Sequence, residues 1–442
     1  MTAKTAETIQ ARAARRLGRL RLDSTPSRLR AVGVLLVVTT IVFAIVAATA
    51  TNARRQAAQS AATQTEPRLV AAESLYASLA DADATATTTF LTGGLEPPAK
   101  RQRYAEDLQT ASTQLATLAR HSSGSAPAWS AVQTLVSGLP VYSGTVEAAR
   151  ANNRQGFPVG AAYLRHASTQ MREQLLPAAS EPYDVEAGHL ADDYGTGRSS
   201  GTLLAVIAVT CLMLAMLAGA QLFLARLAHR RISVPIAIAG AVVLVLGIWM
   251  VAGLISEEDA LNRAQRNGSD PVRVLSAARV LLLRAQDDEG LALAERGGNE
   301  TRLADFEAVA ARLGSPSQPS SLMGAAGAIT RGASSTVAAE GLAEDFDRYL
   351  AVHRRVVGLE TNGRFTQAVD LAVGPQQKEV SLADELNSEL ATEIAGAQRR
   401  FEGAAGDANS ALDGLWLAIP VLGLLVAALA LYGVLERLRE YR

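Results

Sequence analysis

Four apolar runs are the feature that most constrains what this chain can fold into. None of them contains a charged side chain, and they occupy residues 31–50, 203–224, 232–255 and 415–434. A helix needs about 20 mostly apolar residues to cross the hydrocarbon core of a bilayer. The sequence therefore predicts four transmembrane helices.

Basic residues predict how these helices are oriented. The cluster before the first run is Lys4, Arg12, Arg15, Arg16, Arg19, Arg21, Arg28 and Arg30. A second cluster, within residues 225–231, joins the second and third runs, and a third lies in residues 435–442. Since the runs alternate in direction, all three clusters fall on one side of the membrane. Lys and Arg accumulate in cytoplasmic loops, so we expect a multi-pass protein of the cell membrane with both termini in the cytoplasm.

This topology divides the chain into nine parts. We expect a basic cytoplasmic arm at 1–30, transmembrane helices at 31–50, 203–224, 232–255 and 415–434, a basic turn at 225–231, a tail at 435–442, and extracytoplasmic segments at 51–202 and 256–414.

The two extracytoplasmic segments resemble each other weakly. Aligning Pro67 with Pro271, a shift of 204, also aligns Leu79 with Leu283 and Asp83 with Asp287. A shift of 207 aligns Tyr142 with Tyr349 and Gly156 with Gly363. The same order of run, segment and run occurs twice, which favours an internal duplication.

Each segment has the apolar periodicity of helices. In the second segment, two stripes recur at three- and four-residue steps: Leu342, Phe346, Tyr349, His353 and Val356 form one, and Leu382, Leu386, Leu390, Ile394 and Phe401 form the other. Glycine- and proline-rich breaks occur at 92–98, 121–127, 152–158 and 314–321, and such residues favour turns. We therefore predict an all-α protein with two duplicated four-helix bundles outside the membrane.

The sequence shows no sign of catalysis. It contains no phosphate-binding GxxxxGK[ST], no HExxH and no CxxC motif, and its five histidines have no metal-ligand spacing. The net charge of −1 is not that of a nucleic-acid-binding protein. We expect no enzymatic activity, no cofactor and no metal.

The candidate contacts outside the membrane come from the repeat. Asp83 and Asp287 occupy equivalent positions on the apolar stripes of their helices. They are either polar contacts for a ligand or partner, or solvated charges at the end of a bundle. The pairs Gly93–Gly94 and Gly297–Gly298 either present a recognition loop or supply the positive φ that ends a helix.

The candidate contacts on the predicted cytoplasmic side of the membrane are basic. Positive charges beside spans set topology and meet anionic lipids, but they also offer a surface to a cytoplasmic partner. The residues in question are Arg15, Arg16, Arg226, His229, Arg230, Arg231, Arg437 and Arg439.

The layout of the whole chain resembles the GlnX family. The shared features are a basic arm, a span, a helical segment, the arginine-rich hairpin ARLAHRR at 225–231, a second helical segment, and the short tail LERLREYR at 435–442. That family serves actinobacterial amino-acid sensing. The resemblance implies a transducer between an extracytoplasmic amino-acid-binding lipoprotein and a cytoplasmic serine/threonine kinase, protein kinase G.

Two other functions remain open. The helical segments also resemble, more loosely, the ligand-binding domains of chemoreceptors, which implies direct sensing of a small ligand. A scaffold for envelope assembly, or a regulatory subunit of an exporter, is the other alternative. The spans either pack as one bundle or also bring two copies together as a homodimer.

Overall fold

The computed structural model describes residues 25–92, 96–121, 125–197, 200–228, 233–295, 300–333, 336–373 and 378–439. Within these ranges the chain forms helices and turns and no strand. The all-α prediction is confirmed for this part of the chain.

The first half of the described chain consists of α-helices and two short π-helical turns. They are α1 (Thr25–Ser60), π1 (Ala61–Thr65), α2 (Glu66–Leu91), α3 (Pro98–Ala119), α4 (Ala126–Arg154), α5 (Val159–Gln170), π2 (Met171–Leu175), α6 (Leu176–Gly197) and α7 (Ser200–Ala228).

The second half follows the same scheme. It contains α8 (Val234–Ala264), π3 (Gln265–Ser269), α9 (Asp270–Glu295), α10 (Glu300–Leu313), α11 (Leu322–Ala333), α12 (Thr336–Thr361), α13 (Phe365–Ala372), α14 (Lys378–Ala411) and α15 (Leu415–Arg439).

Among the described residues, four helical stretches are long and apolar enough to cross a membrane: Leu29–Leu91, Val159–Arg226, Val234–Glu295 and Ser381–Glu436. They contain three of the predicted runs in full and residues 234–255 of the run at 232–255, and they indicate a multi-pass membrane protein. The first has 63 residues, or about 95 Å at 1.5 Å per residue, whereas the hydrocarbon core of a bilayer is about 30 Å thick. Most of that helix therefore lies outside its apolar run.

The helices that follow the first and third runs correspond closely. The π-helical turns π1 (Ala61–Thr65) and π3 (Gln265–Ser269) begin 204 residues apart, the same shift that aligns Pro67 with Pro271. The helices after them, α2 and α9, have 26 residues each. Gly156 and Gly363, aligned by the shift of 207, both have positive φ, at 74° and 72°. These features therefore occupy corresponding positions in the two halves of the chain.

The chain divides into two compact units. The span unit contains the described parts of Met1–Gln59, Tyr194–Leu261 and Gly406–Arg442, and the bundle unit contains those of Ser60–Asp193 and Asn262–Ala405. Both long segments thus lie in one unit. The prediction of two separate bundles is not confirmed.

In the span unit, α1, α7, α8 and α15 bury an apolar core that includes Leu36, Met213, Leu246 and Ile419. Other apolar side chains on these helices, such as Val34 and Leu424, are exposed, which suits contact with lipid. Just beyond the apolar runs, the Arg54 Nη1 lies 3.3 Å from the Glu257 Oε2, and both side chains are buried. Sequence analysis did not identify this ion pair.

The bundle unit has more than one core. The core of the first segment also contains Leu283 and Leu291 from α9. A second core packs α9 against α10, α11, α12 and α14. Both predicted stripes of the second segment contribute buried residues: Leu386, Leu390 and Phe401 on one, Phe346 and Tyr349 on the other.

The predicted breaks coincide with helix ends. Helix α2 ends at Leu91 and α3 begins at Pro98, α4 ends at Arg154 and α5 begins at Val159, and α10 ends at Leu313. The expectation of about four helices per segment holds for the first segment. It is wrong for the second, where the described residues form six, because two further helix ends occur: α11 ends at Ala333 before α12 begins at Thr336, and α13 ends at Ala372 before α14 begins at Lys378.

Candidate functional site

Asp83 on α2 and Asp287 on α9 meet in the interior of the bundle unit, and each is only 3% exposed. The alternative that these two aspartates are solvated charges at the end of a bundle is therefore wrong. The reason is tertiary, since α2 and α9 pack side by side and each covers the stripe that carries the other's aspartate.

Asp83 accepts hydrogen bonds from two hydroxyl groups. The Tyr142 Oη on α4 lies 2.9 Å from its Oδ1, and the Ser168 Oγ on α5 lies 2.6 Å from its Oδ2. Tyr142 is fully buried, in keeping with its position on a helical stripe. No lysine, arginine or histidine of the described chain lies within ion-pair distance of the Asp83 carboxylate.

Asp287 shares one of those hydroxyl groups. The Ser168 Oγ lies 3.2 Å and 3.1 Å from its two carboxylate oxygens, and the Thr87 Oγ1 lies 2.6 Å from its Oδ1. The Arg172 Nε is 3.9 Å from the Asp287 Oδ2. Ser168 thus connects two carboxylates from the two halves of the chain.

Arg172, from π2, is bound more tightly to the next residue of α9. Its Nη1 donates to the Asp288 Oδ1 at 2.5 Å, and the Asp288 side chain is completely buried. The Asp288 Oδ2 has no hydrogen-bond partner among the described residues. The charge of Arg172 is therefore largely engaged by Asp287 and Asp288.

These carboxyl groups lie well outside the apolar runs, and their surroundings favour the protonated form. Burial, and then the nearby charge of Asp287, raise the pKa of Asp83 well above its usual range. Burial, again followed by Asp287, raises the pKa of Asp288 to about 7. Desolvation and a like charge both disfavour a carboxylate, and here they outweigh the hydroxyl groups and Arg172.

A cavity of about 310 Å³ opens beside this pair. Its polar lining is Tyr76, Asp83, Arg172, Ser180, Arg284 and Asp287. Apolar walls come from Leu176 and Val280, among others. The two aspartates are buried whereas Pro177 and Arg284 are exposed, so the aspartates form the floor and the latter two lie at the rim.

A second polar cluster joins the two segments elsewhere in the bundle unit. Asp81 accepts from the Arg103 Nη2 at 2.7 Å, from the Arg279 Nη2 at 2.9 Å and from the Asn387 Nδ2 at 3.2 Å. Arg103 also reaches the Asp384 Oδ1 at 2.7 Å. Every carboxylate in this cluster faces a cation, which indicates a structural role.

Several candidate residues lie outside the described residues. They are Gly93, Gly94, Gly297 and Gly298 outside the membrane, and Arg15, Arg16, His229, Arg230 and Arg231 on the predicted inner side. Of the remaining basic candidates, Arg226 is exposed in the last turn of α7, and Arg437 and Arg439 belong to α15.

Sequence reasoning found the aspartate pair through the repeat but missed Ser168 and Arg172. Neither belongs to an apolar stripe or a motif. Ser168 lies in α5 and Arg172 in the π-helical turn π2 that follows it. Only the packing of that helix against α9 brings them to Asp287. Across the residues that the structure describes, no group of three histidine, cysteine, aspartate or glutamate side chains is placed to hold a metal ion.

Comparison with known families adds one finding. Residues 57–195 match the model of the actinobacterial sensor domain. The matched region runs from the end of α1 to α6 and includes Asp83, Tyr142, Ser168 and Arg172, whereas α9 and Asp287 lie beyond it. This match indicates a sensing or signalling role. No curated protein and no solved structure matches the chain.

Proposed function

We propose that this chain is a transmembrane signal transducer whose bundle unit receives a stimulus outside the cell. One observation carries the proposal: the Asp83–Asp287 pair joins the two helices that continue without a break into apolar runs, Leu29–Leu91 and Val234–Glu295. The sensor-domain match over residues 57–195 supports the same role.

The polar contacts between α2 and α9 suggest how a stimulus is transmitted. A transducer needs two helix arrangements that are close in energy, and a stimulus that prefers one of them. The Ser168 hydroxyl lies within hydrogen-bond distance of both carboxyl groups, so it can donate to either one, and two buried carboxylates repel each other at close approach. A small change at this pair therefore shifts α2 relative to α9, and the continuous helices carry the shift into their apolar runs.

The partners follow from the resemblance to the GlnX family. Outside, we propose that an amino-acid-binding lipoprotein docks on the bundle unit. Inside, the basic surface that includes Arg226, Arg437 and Arg439 engages a serine/threonine kinase or its regulator. Basic residues beside spans suit an acidic partner surface, since charge complementarity guides association.

Co-purification tests this function. The full chain is isolated from native membranes in mild detergent, and the expected result is recovery of a solute-binding lipoprotein and a kinase. Replacing Arg226, Arg437 and Arg439 with Glu should remove the kinase and leave the lipoprotein. The matched control replaces Arg165, Arg354 and Arg355 of the bundle unit with Glu and should leave the kinase bound. Recovery of neither partner with the wild-type chain would contradict the proposal.

Direct sensing of a small ligand is a second candidate function. The cavity of about 310 Å³ between α2, α6 and α9 favours it, because ligand sites are typically concave, partly apolar and supplied with a few polar groups.

A further inference from the structure

We infer that the cavity beside Asp83 and Asp287 binds a small zwitterion of the amino-acid type. Its ammonium group would lie against the carboxylates at the floor and its carboxylate against Arg284 at the rim. The inference rests on the proposed sensing role for its purpose, but binding itself is measured without any partner.

The charges of the cavity are the first argument. Its lining carries two carboxylates and two guanidinium groups, from Asp83, Asp287, Arg172 and Arg284. Arg172 is held by Asp288 and Asp287, which leaves one group of each sign without an ion-pair partner in the described chain. Asp83 has hydroxyl partners only, and Arg284 is exposed and makes no ion pair with a described carboxylate.

The positions of those two groups are the second argument. Asp83 is buried at the floor and Arg284 lies at the rim, so a ligand that pairs with both carries a positive charge towards the floor and a negative charge towards the rim. A purely anionic ligand would meet Asp83 and Asp287, and a purely cationic one would leave Arg284 unused. A zwitterion satisfies both ends, and charge-assisted hydrogen bonds of this kind are about twice as strong as neutral ones.

The size and walls of the cavity are the third argument. A volume of about 310 Å³ lies at the lower end of the range for small-molecule sites, about 300–1,000 Å³. Leu176, Val280 and Leu283 line it together with the ring of Tyr76. These walls suit a compact molecule with an apolar portion.

The raised pKa of Asp83 links binding to pH. The titratable and charged groups that face Asp83 are Tyr104 from α3, Tyr142 from α4, Arg172 from π2, and Asp287 with Arg284 from α9. Burial and Asp287 raise the pKa of Asp83, and an arriving ammonium group supplies the counter-charge that it lacks. A bound ammonium group favours the ionised form, so we expect binding to lower the pKa of Asp83 and to release a proton wherever this carboxyl is still protonated.

The experiment uses the purified full chain in detergent, with free proteinogenic L-amino acids as probes. Thermal unfolding identifies the amino acid that raises the Tm most, because a ligand of the folded state stabilises it by mass action. Calorimetry then measures its affinity in two buffers of different ionisation enthalpy, and a difference in observed heat reports proton release. The N-acetyl derivative of that amino acid should bind at least about 10-fold more weakly, since it leaves the buried carboxylates unpaired. The carboxamide derivative should also bind more weakly, since it removes the partner of Arg284.

Variants locate the site. Asp83→Asn and Arg284→Gln should each weaken binding at least about 10-fold, whereas the exposed controls Asp347→Asn and Arg165→Gln should bind as the wild type does. An unaltered Tm of Asp83→Asn without ligand, or a higher one, shows that loss of binding is not loss of folding. The inference would be overturned if none of the amino acids raised the Tm, or if both cavity variants bound the amino acid with wild-type affinity.

The outcomes separate the two proposals. If amino acids bind but no kinase is recovered with the chain, the transducer role fails and the inference stands. If the kinase and lipoprotein are recovered and no amino acid binds the purified chain, the inference fails and the transducer role stands.

Discussion

At the scale of single residues, the most unusual feature of this protein is a contact between two buried carboxyl groups. Asp83 and Asp287 are both 3% exposed and share Ser168 as a donor. Burying carboxylates costs free energy unless they are paired or hydrogen-bonded. Here hydroxyl groups from three helices, on Tyr142, Ser168 and Thr87, donate hydrogen bonds to these carboxyl groups.

The first prediction concerns stability against pH. The pKa of Asp83 is raised well above its usual range, and that of Asp288 from 3.8 to about 7. A carboxyl group whose pKa rises on folding stabilises the folded state fully below its unfolded pKa, and this contribution is lost as the pH rises through the folded value. The free energy of unfolding should therefore fall between about pH 4 and pH 7.

Asp83→Asn removes one of these groups and mimics its protonated form. It should flatten that pH dependence and raise the Tm at pH 8, measured by thermal unfolding in detergent. The exposed Asp347→Asn should follow the wild-type curve. An Asp83→Asn curve parallel to the wild type would contradict the assignment.

At the scale of elements, close helix contacts occur at the π-helical turns. Gly268 in π3 is buried against α14, where a Cβ would lie 2.5 Å from the Phe401 Cβ and 2.8 Å from its Cα. Backbone atoms of Phe401 leave no room for a side chain at this position. The apolar periodicity of α14 indicates which face is buried, but it does not reveal that a glycine on another helix sets the approach distance.

The second prediction follows from this contact. Gly268→Ala should lower the free energy of unfolding by about 1–3 kcal/mol, the usual cost of overpacking, because neighbouring backbone must move. Gly403 is the control, since a Cβ there meets nothing within 4 Å. Gly403→Ala should stabilise α14 by about 0.5–1 kcal/mol. Chemical denaturation with a helix signal measures both, and equal effects would show that α14 does not pack on π3 as described.

At the scale of the whole molecule, the two long segments between the apolar runs lie largely in one compact unit. Their shared contacts include Arg103 with Asp384 and Ser276 with Glu73, besides the aspartate pair. A duplicated sequence is compatible with two separate bundles or with one joint bundle. The polar side chains favour the joint one, because Asp81 would lose Arg279 and Asn387, and Glu73 would lose Ser276, if the segments separated.

The third prediction concerns orientation across the membrane. In a Cys211→Ala background, which has no cysteine, Asp347→Cys and Glu436→Cys each introduce one exposed thiol. A membrane-impermeant maleimide applied to intact cells should label position 347, and position 436 only after permeabilisation. Labelling of position 436 in intact cells would reverse the predicted topology.

The sequence by itself determined the helical class, the four apolar runs, the main helix breaks and the repeated position of Asp83 and Asp287. The first three depend on local composition or on the spacing of apolar residues along one helix, which a short window of sequence contains. The repeated aspartate position follows from comparing two such windows. Tertiary structure alone decided that the two aspartates are buried together, that Ser168 and Arg172 meet them, and that Arg284 stands at the rim of a cavity. Those relations join residues up to 204 positions apart, and the helix-to-helix packing that creates them leaves no periodic trace in the sequence.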